Sequence, residues 1–243
     1  MNDAVFISDL HLHPEMPAIT EKFNLFVKWA AKNAKSVYIL GDFFHVWPGD
    51  DGMDAWSEGI AERLAWLGAQ KVLVYFMPGN RDFLLGQTFI RKAKLIRLVE
   101  PAVIMLGEER VLLVHGDKYC TKDWSHQWLR LFTRNPWFAS WFLRLPYRFR
   151  AFLVNGVRQY SQTNTRKVTD KMDIVPKAMF ADMHRYDTPA LIHGHTHKPG
   201  LKVHQDQKLD LRQYTLSDWD ENPLILCYNR SKYVFSNVIL EKN

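Results

Sequence analysis

Five short apolar runs in this chain each break off at Asp, Asn or His, and that recurrence leaves few folds open to it. "AVFI" runs into Asp9 and His11, "SVYIL" into Gly41-Asp42, and "KVLVYFM" into Gly79-Asn80. Further on, "RVLLV" ends at His115 and Asp117, and "PALI" ends at His193, His195 and His197. Runs of this length, rich in Val, Ile, Leu and Tyr and closed by Gly or Pro, read as buried strands. Between the first three lie the amphipathic stretches "AITEKFNLFVKWAAKNA" and "MDAWSEGIAERLAWLGA", which read as helices. Strands alternating with helices predict an α/β sheet, whose ligands gather beyond the carboxyl ends of the strands. Two later runs, "PLILCYN" and "KYVFSNVIL", follow one another without a helix and read as strands closing a sheet.

The expected architecture is therefore a sandwich of sheets flanked by helices. Residues 1–120 and 186–243 would form its core, and residues 121–185 a mainly helical insertion. That insertion differs in kind from the rest. From Trp124 to Thr169 there is no Asp or Glu, while Arg130, Arg134, Arg144, Arg148, Arg150, Arg158, Arg166 and Lys167 all fall there. Trp124, Trp128, Phe132, Trp137, Phe138, Trp141, Phe142, Tyr147, Phe149 and Phe152 are interleaved with them. The formal net charge is +6, which favours an anionic partner. No apolar stretch reaches the roughly 18 residues of a transmembrane helix. "MNDAVFISDLHLHPE" lacks the cationic lead of a secretory signal. Cys120 and Cys227 give no disulfide framework and no metal-site spacing, and are expected as ordinary thiols in a reducing compartment.

Asp9, His11, Asp42, Asn80, His115, His195 and His197 should all arrive at one edge. Alone, a strand-end Asp is usually a helix cap or a turn former, and a single His a hydrogen-bonded surface residue. Five strands ending this way predict a metal site. Nitrogen and oxygen donors without thiolate suit Mn²⁺, Fe²⁺, Zn²⁺ or Co²⁺. Seven ligands exceed the needs of one tetrahedral ion and suit two ions sharing a bridging carboxylate, ~3.5–4 Å apart as in two-metal phosphatases and nucleases.

The ordered blocks "SDLHLH" (8–13), "GDFFHVW" (41–47), "GNRDF" (79–83), "HGDKYC" (115–120) and "HGHTHKP" (193–199) resemble the calcineurin-like metallophosphoesterase superfamily. The resemblance implies a four-layer αββα fold. It implies that Asp9, His11, Asp42 and His197 hold one ion and Asp42, Asn80, His115 and His195 the other, with Asp42 bridging. Most superfamily members carry a histidine where this chain has Arg81. An arginine donates no proton near neutral pH but chelates phosphate oxygens, so "GNRDF" is expected to pair a metal ligand with a phosphate clamp. The alternative is a turn with Arg81 solvated.

With the cationic-aromatic insertion, these blocks are similar to one narrower family, the UDP-2,3-diacylglucosamine hydrolases. That resemblance implies cleavage of the pyrophosphate of UDP-2,3-diacylglucosamine to UMP and 2,3-diacylglucosamine 1-phosphate in lipid A biosynthesis. A water activated by two divalent cations, expected to be Mn²⁺, would attack the α-phosphorus. It implies catalytic roles for Asn80, Arg81 and His195, and substrate contacts at Asn80, Arg81, Asp123, Ser161, Asn164, Lys167 and His195. It also implies peripheral attachment to the cytoplasmic face of a bacterial inner membrane, with no nucleic acid and no obligate protein partner. Basic and interfacial aromatic residues of the insertion suit an anionic lipid surface, and its apolar helices could line an acyl-chain chamber; the plainer expectation is a lid whose aromatics pack on the core. His13, His45, His126, His184 and His204 are expected to be structural or at the surface. His45 stands where many superfamily members place a second Asp. Asp117 is expected to orient an imidazole or cap a turn. Two further readings compete: a nuclease or cyclic-nucleotide phosphodiesterase whose insertion stacks on bases, and a non-enzymatic membrane-docking module with a structural metal.

Overall fold

The computed structural model describes residues 1–164, 173–206 and 209–237. Strands β1 (Ala4–Ile7), β2 (Ser36–Leu40) and β3 (Leu73–Met77) run parallel, with the short β4 (Ile96–Arg97) beyond β3. Helix α1 (Pro17–Asn33) and helix α2 (Ala55–Ala69) make the crossovers between the first three. Proline opens α1 at its first turn, where a missing N–H costs nothing. A capping box opens α2: Asp54 accepts the Ser57 N–H at 2.8 Å, and the Ser57 hydroxyl accepts the Asp54 N–H at 2.9 Å. Helix α3 (Gln87–Lys92) follows β3.

A second sheet is built from β5 (Ala102–Leu106), β6 (Glu109–Leu113), β7 (Ala190–His193), β8 (Gly200–Asp206) and β9 (Leu209–Thr215), in the order β5-β6-β7-β9-β8. The hairpin of β10 (Ile225–Asn229) and β11 (Lys232–Ser236) returns to the first sheet, where β10 lies antiparallel to β1. The two apolar runs without a helix between them are this hairpin.

Period-two alternation along the strands assigns every layer. Val5, Ile7, Val37, Ile39, Val74 and Phe76 face α1 and α2, where they meet Phe23, Phe26, Leu64 and Leu67. Their neighbours Ala4, Phe6, Tyr38, Leu40 and Met77 face the other way and pack on Val111, Leu113, Ile192 and Tyr214 of the second sheet. The far side of that sheet, Leu112, Val114 and Leu191, is covered by Met179 and Met183 of α7 (Pro176–Arg185). Helices, sheet, sheet and helix make the four-layer αββα sandwich that the family resemblance implies. Strands buried on both sides need apolar residues at every position, which is why the runs are continuous. Cys120 and Cys227 are buried and not joined in a disulfide, and no helix among the described residues is long and apolar enough to cross a membrane.

Helices α4 (Trp124–Thr133), α5 (Pro136–Phe142) and α6 (Tyr147–Asn164) follow β6. Arg150 of α6 is fully buried, and its guanidinium is spent on the core: Nη1 donates to the Pro48 carbonyl at 2.7 Å and Nε to the Leu145 carbonyl at 2.9 Å, with an ion pair to Asp51. The aromatic side chains of these helices do not all pack inward, as the plainer expectation required. Trp124, Trp137 and Phe152 are 75%, 85% and 74% exposed.

Candidate metal centre

The carboxyl ends of β1, β2 and β3 deliver Asp9, His11, Asp42 and Asn80, and those of β6 and β7 deliver His115, His195 and His197 to the same edge. Two compact groups result. Ligand atoms of Asp9, His11 and His197 lie within 4.8 Å of one another, and so do those of Asp42, His115 and His195. Asn80 joins the second group, its Oδ1 2.9 Å from His115 Nε2. Asp42 stands between the groups: its Oδ2 is 3.6 Å from His11 Nε2, and its Oδ1 is 3.5 Å from His115 Nε2.

The backbone is bent to present these groups. Asp9, His11, Asp42, His195 and His197 all have φ between 51° and 68°. Asp and His tolerate this left-handed region better than most residues, at a cost on the order of 1 kcal/mol each. Such strain persists where the surrounding structure enforces it. Glycine is required where two of these loops touch. A Cβ on Gly79 would lie 2.2 Å from Asp42 Oδ1, and one on Gly194 would lie 2.3 Å from Asp9 Oδ2. That is the physical content of the Gly-Asn and Gly-His pairs in the motifs.

Tautomers are set from outside the centre. His115 Nδ1 is 2.9 Å from the Leu40 carbonyl, which can only accept, so the N–H sits on Nδ1 and Nε2 points at Asn80 and Asp42. His197 Nδ1 faces Asp218 Oδ2 at 3.4 Å and presents Nε2 to Asp9 Oδ1 at 3.3 Å. Each Nε2 faces carboxylate or carboxamide oxygens, so a divalent cation taking the place of the Nε2 proton would find nitrogen and oxygen donors on both sides. His11 Nε2 is buried with no hydrogen-bond partner, as a ligand atom would be. The residues present fit two divalent cations with nitrogen and oxygen donors.

Electrostatics point the same way. Burial would raise the Asp9 carboxyl, but the hydrogen bond and charge of His197 and the charge of His115 outweigh it and hold it below the usual carboxylate range. Asp42 is also held well below that range, where burial is overcome by His115, His11 and Arg81. Burial would lower His115, yet Asp42, Asp9 and Asp117 push it up to about 9; His197, against the same opposition from burial, is pushed up to about 10 by Asp218 and Asp9. These carboxylates are arranged to hold positive charge.

Arg81 lies at the rim. Its backbone N–H donates to Asp42 Oδ1 at 2.9 Å and its Nε to Asp42 Oδ2 at 3.0 Å, so it is not a solvated turn residue. Asp123 stands immediately before α4, and α4 is tied to it by the Gln127 N–H at 2.9 Å. Ser161 and Asn164 belong to the last turn of α6, and Lys167 lies outside the described residues. His193 joins neither group. It is buried, takes Gln213 Nε2 and Thr215 Oγ1 at 2.9 and 3.0 Å on Nε2, and burial pushes it down to about 4. His45 sits beside His13, ring centroids 5.0 Å apart.

Several partners of the centre were not singled out in the sequence as functional. Asp218 lies in the stretch "LSDW" (216–219), outside the five motif blocks. Asp82 gives no signal beyond its place after Asn80-Arg81. Glu100 lies far from any motif.

The calcineurin-like phosphoesterase family model matches residues 4–199. Over 218 residues the chain is 44% identical to UDP-2,3-diacylglucosamine hydrolase of Pseudomonas paraeruginosa, covering 89% of this chain and 90% of the relative. Over 230 residues it is 40% identical to the protein of the same name from Stutzerimonas stutzeri, covering 94% and 96%. The chain belongs to the calcineurin-like phosphoesterases and, among them, to the UDP-2,3-diacylglucosamine hydrolase family. The family's motif blocks are the segments that form the two ligand groups around Asp42.

Proposed function

We propose that this chain hydrolyses the pyrophosphate of UDP-2,3-diacylglucosamine at a membrane surface, giving UMP and 2,3-diacylglucosamine 1-phosphate. The observation that carries the reading is Asp42, one carboxylate with an oxygen turned to each of two ligand groups. Two divalent cations, for which Mn²⁺ suits the mixed donor set, supply when bound a water made nucleophilic at neutral pH and counter-charge for the phosphates.

The chain's own residues do the rest. Asn80 and His195 stand in the second group and would meet the phosphoryl oxygens there. Arg81 spends Nε on Asp42, so the amino ends of its fork are the part that takes phosphate oxygens, in a geometry a lysine would not reproduce. Lys167 is assigned to the same phosphates, and Asp123, Ser161 and Asn164 to the remainder of the polar head. The insertion holds the lipid: each acyl methylene moved from water to an apolar wall contributes about 0.8 kcal/mol. Basic residues near an anionic bilayer add roughly 1 kcal/mol each. Peripheral attachment at the cytoplasmic face of an inner membrane follows from where such a substrate resides.

A panel of UDP-sugars with and without acyl chains, assayed with Mn²⁺, tests the reading. Turnover of the diacylated compound, its loss in Asp9→Ala, and UMP as product are expected. Equal turnover of unacylated UDP-glucosamine, or cleavage of single-stranded DNA in its place, would remove it.

A further inference from the structure

Helix α4 turns its polar side inward. Gln127 and Arg130, with Arg134 one residue past the helix end, recur at intervals of three and four residues and share one face, while Trp128, Leu131 and Phe132 are exposed. This inverts the usual pattern of a surface helix. Gln127 Nε2 donates to the carbonyls of Asp117 and Cys120 at 2.9 and 3.2 Å. Arg130 reaches Glu100 Oε2 at 3.2 Å and Asp117 Oδ2 at 3.1 Å, and Arg134 reaches the same two oxygens at 3.4 and 3.6 Å. Arg134 Nη1 also donates to the Pro78 carbonyl at 3.2 Å.

The two carboxylates are 5% and 0% exposed; Glu100 holds the His115 loop and Asp117 belongs to it. Glu100 Oε1 accepts the His115 backbone N–H at 2.8 Å, and Asp117 lies two residues beyond it. Pro78 directly precedes Gly79-Asn80. Arg130 and Arg134 therefore grip the two loops that carry His115 and Asn80.

We propose that Arg130 and Arg134 are positioning residues for the Asp42–Asn80–His115–His195 cation position, so that docking of α4 and filling of that position form one linked equilibrium. This rests on the two-cation reading above. With α4 undocked, two buried carboxylates lose their counter-charges, which is costly at such burial. Glu100 then separates from Asp117 and the solvent side opens, and the His115 N–H and the Asn80 loop lose their fixed partners. The Asp9–His11–His197 group takes no ligand from these loops and keeps its geometry. By linkage, a cation that fixes His115 and Asn80 must favour docked α4 by the same factor.

The test uses the full chain and Mn²⁺ alone, without substrate. In the wild type, Mn²⁺ should slow amide hydrogen exchange in α4 and leave α1 unchanged; in Arg130→Met/Arg134→Met that slowing should be lost. The wild type is expected to bind two ions with an exchange-coupled Mn–Mn resonance. The double variant holds one ion as before and the other about 10–100-fold more weakly, the range expected for loss of ligand-supporting residues, and shows an isolated Mn²⁺ spectrum. Loss of two positive charges would by itself draw cations more tightly to both positions, so selective weakening reports lost positioning. Arg130→Lys/Arg134→Lys keeps the charges, guards against a fold defect, and is expected to recover part of the second affinity. Both ions bound as in wild type, both weakened alike, or α4 exchange indifferent to Mn²⁺ would overturn the proposal. A wild type that takes up fewer than two ions would instead overturn the reading beneath it.

Discussion

Asp82 Oδ2 accepts the backbone N–H of Phe43 at 2.7 Å, joining two loops 39 residues apart. Its Oδ1 accepts the Gly79 N–H at 2.7 Å. One buried carboxylate thus locks the turn that presents Asp42 to the turn that presents Asn80. Burial, then the charge of Asp42, pushes its carboxyl up to about 6, so the site keeps it for its geometry against an electrostatic cost. Asp82→Ala leaves both N–H groups buried and unpaired, at roughly 1–3 kcal/mol each. Urea denaturation of the metal-free chain should show a loss of about 3 kcal/mol, with Asp82→Asn losing less because it retains one acceptor. Equal midpoints for wild type and Asp82→Ala would show that the loops are held by something else.

Asp218 does for His197 what the Leu40 carbonyl does for His115: it takes Nδ1 and leaves Nε2 for the centre. Asp218→Ala frees the ring and its tautomer. Affinity for one of the two Mn²⁺ ions should fall about 10–100-fold, with the other unchanged, as read by calorimetric titration. The affected position is the Asp9–His11–His197 one, opposite to that expected for the arginine variants. A single weakened ion in both variants, identical by spectrum, would contradict the assignment.

How much of this was legible in the sequence depends on range. The ligands were legible because each follows the end of an apolar run and five such ends recur, although His193 at the end of β7 shows that not every such histidine is a ligand. The layers followed from the same runs, and the helices α1 and α2 from their period. What escaped is held by contacts that leave no local trace. Glu100 meets His115, Arg130 and Arg134 only after the chain folds, and nothing around "LVEPAV" marks it. Strand β8 was missed because "GLKVHQD" is an edge strand with four of its seven positions exposed and carries little apolar signal. Arg150 looked like one more cation of a basic insertion, yet it is among the largest fully buried side chains.

Cation binding should release protons. In the cation-free chain His115 is pushed up to about 9 and His197 to about 10, chiefly by Asp42 in the first case and by Asp218 in the second, with burial opposing. Both lie above the ordinary imidazole value of 6.5. The sign follows: both rings are protonated in the folded chain at pH 7.5, and that stabilisation is full below about 6.5 and fades as pH rises through 9 to 10. A cation needs the Nε2 lone pair, so it displaces those protons. Apparent Mn²⁺ affinity should climb with pH from 6.5 toward 9, by up to about tenfold per unit for each proton displaced. Titrations in buffers of differing ionisation enthalpy should return close to two protons per pair of ions. Buffer-independent heats would refute the electrostatic account of the centre.

The outward aromatics give a separable prediction. Trp137 of α5 and Phe152 of α6 are almost free of contact with the core, so replacing them disturbs little packing. Trp favours the headgroup layer of a bilayer, and a fully buried Phe is worth about 1.5–3 kcal/mol over an exposed one. Trp137→Ser/Phe152→Ser should therefore weaken partition onto anionic vesicles at least tenfold in a sedimentation assay. Thermal stability should shift by no more than about 0.5 kcal/mol, as for ordinary surface substitutions. Turnover of a short-chain, micelle-free substrate should be retained while turnover of vesicle-borne substrate falls. Loss of both alike would place these side chains in the catalytic chamber; loss of neither would leave the exposed face without a role in membrane approach, and the basic residues alone would have to bring the enzyme to its lipid.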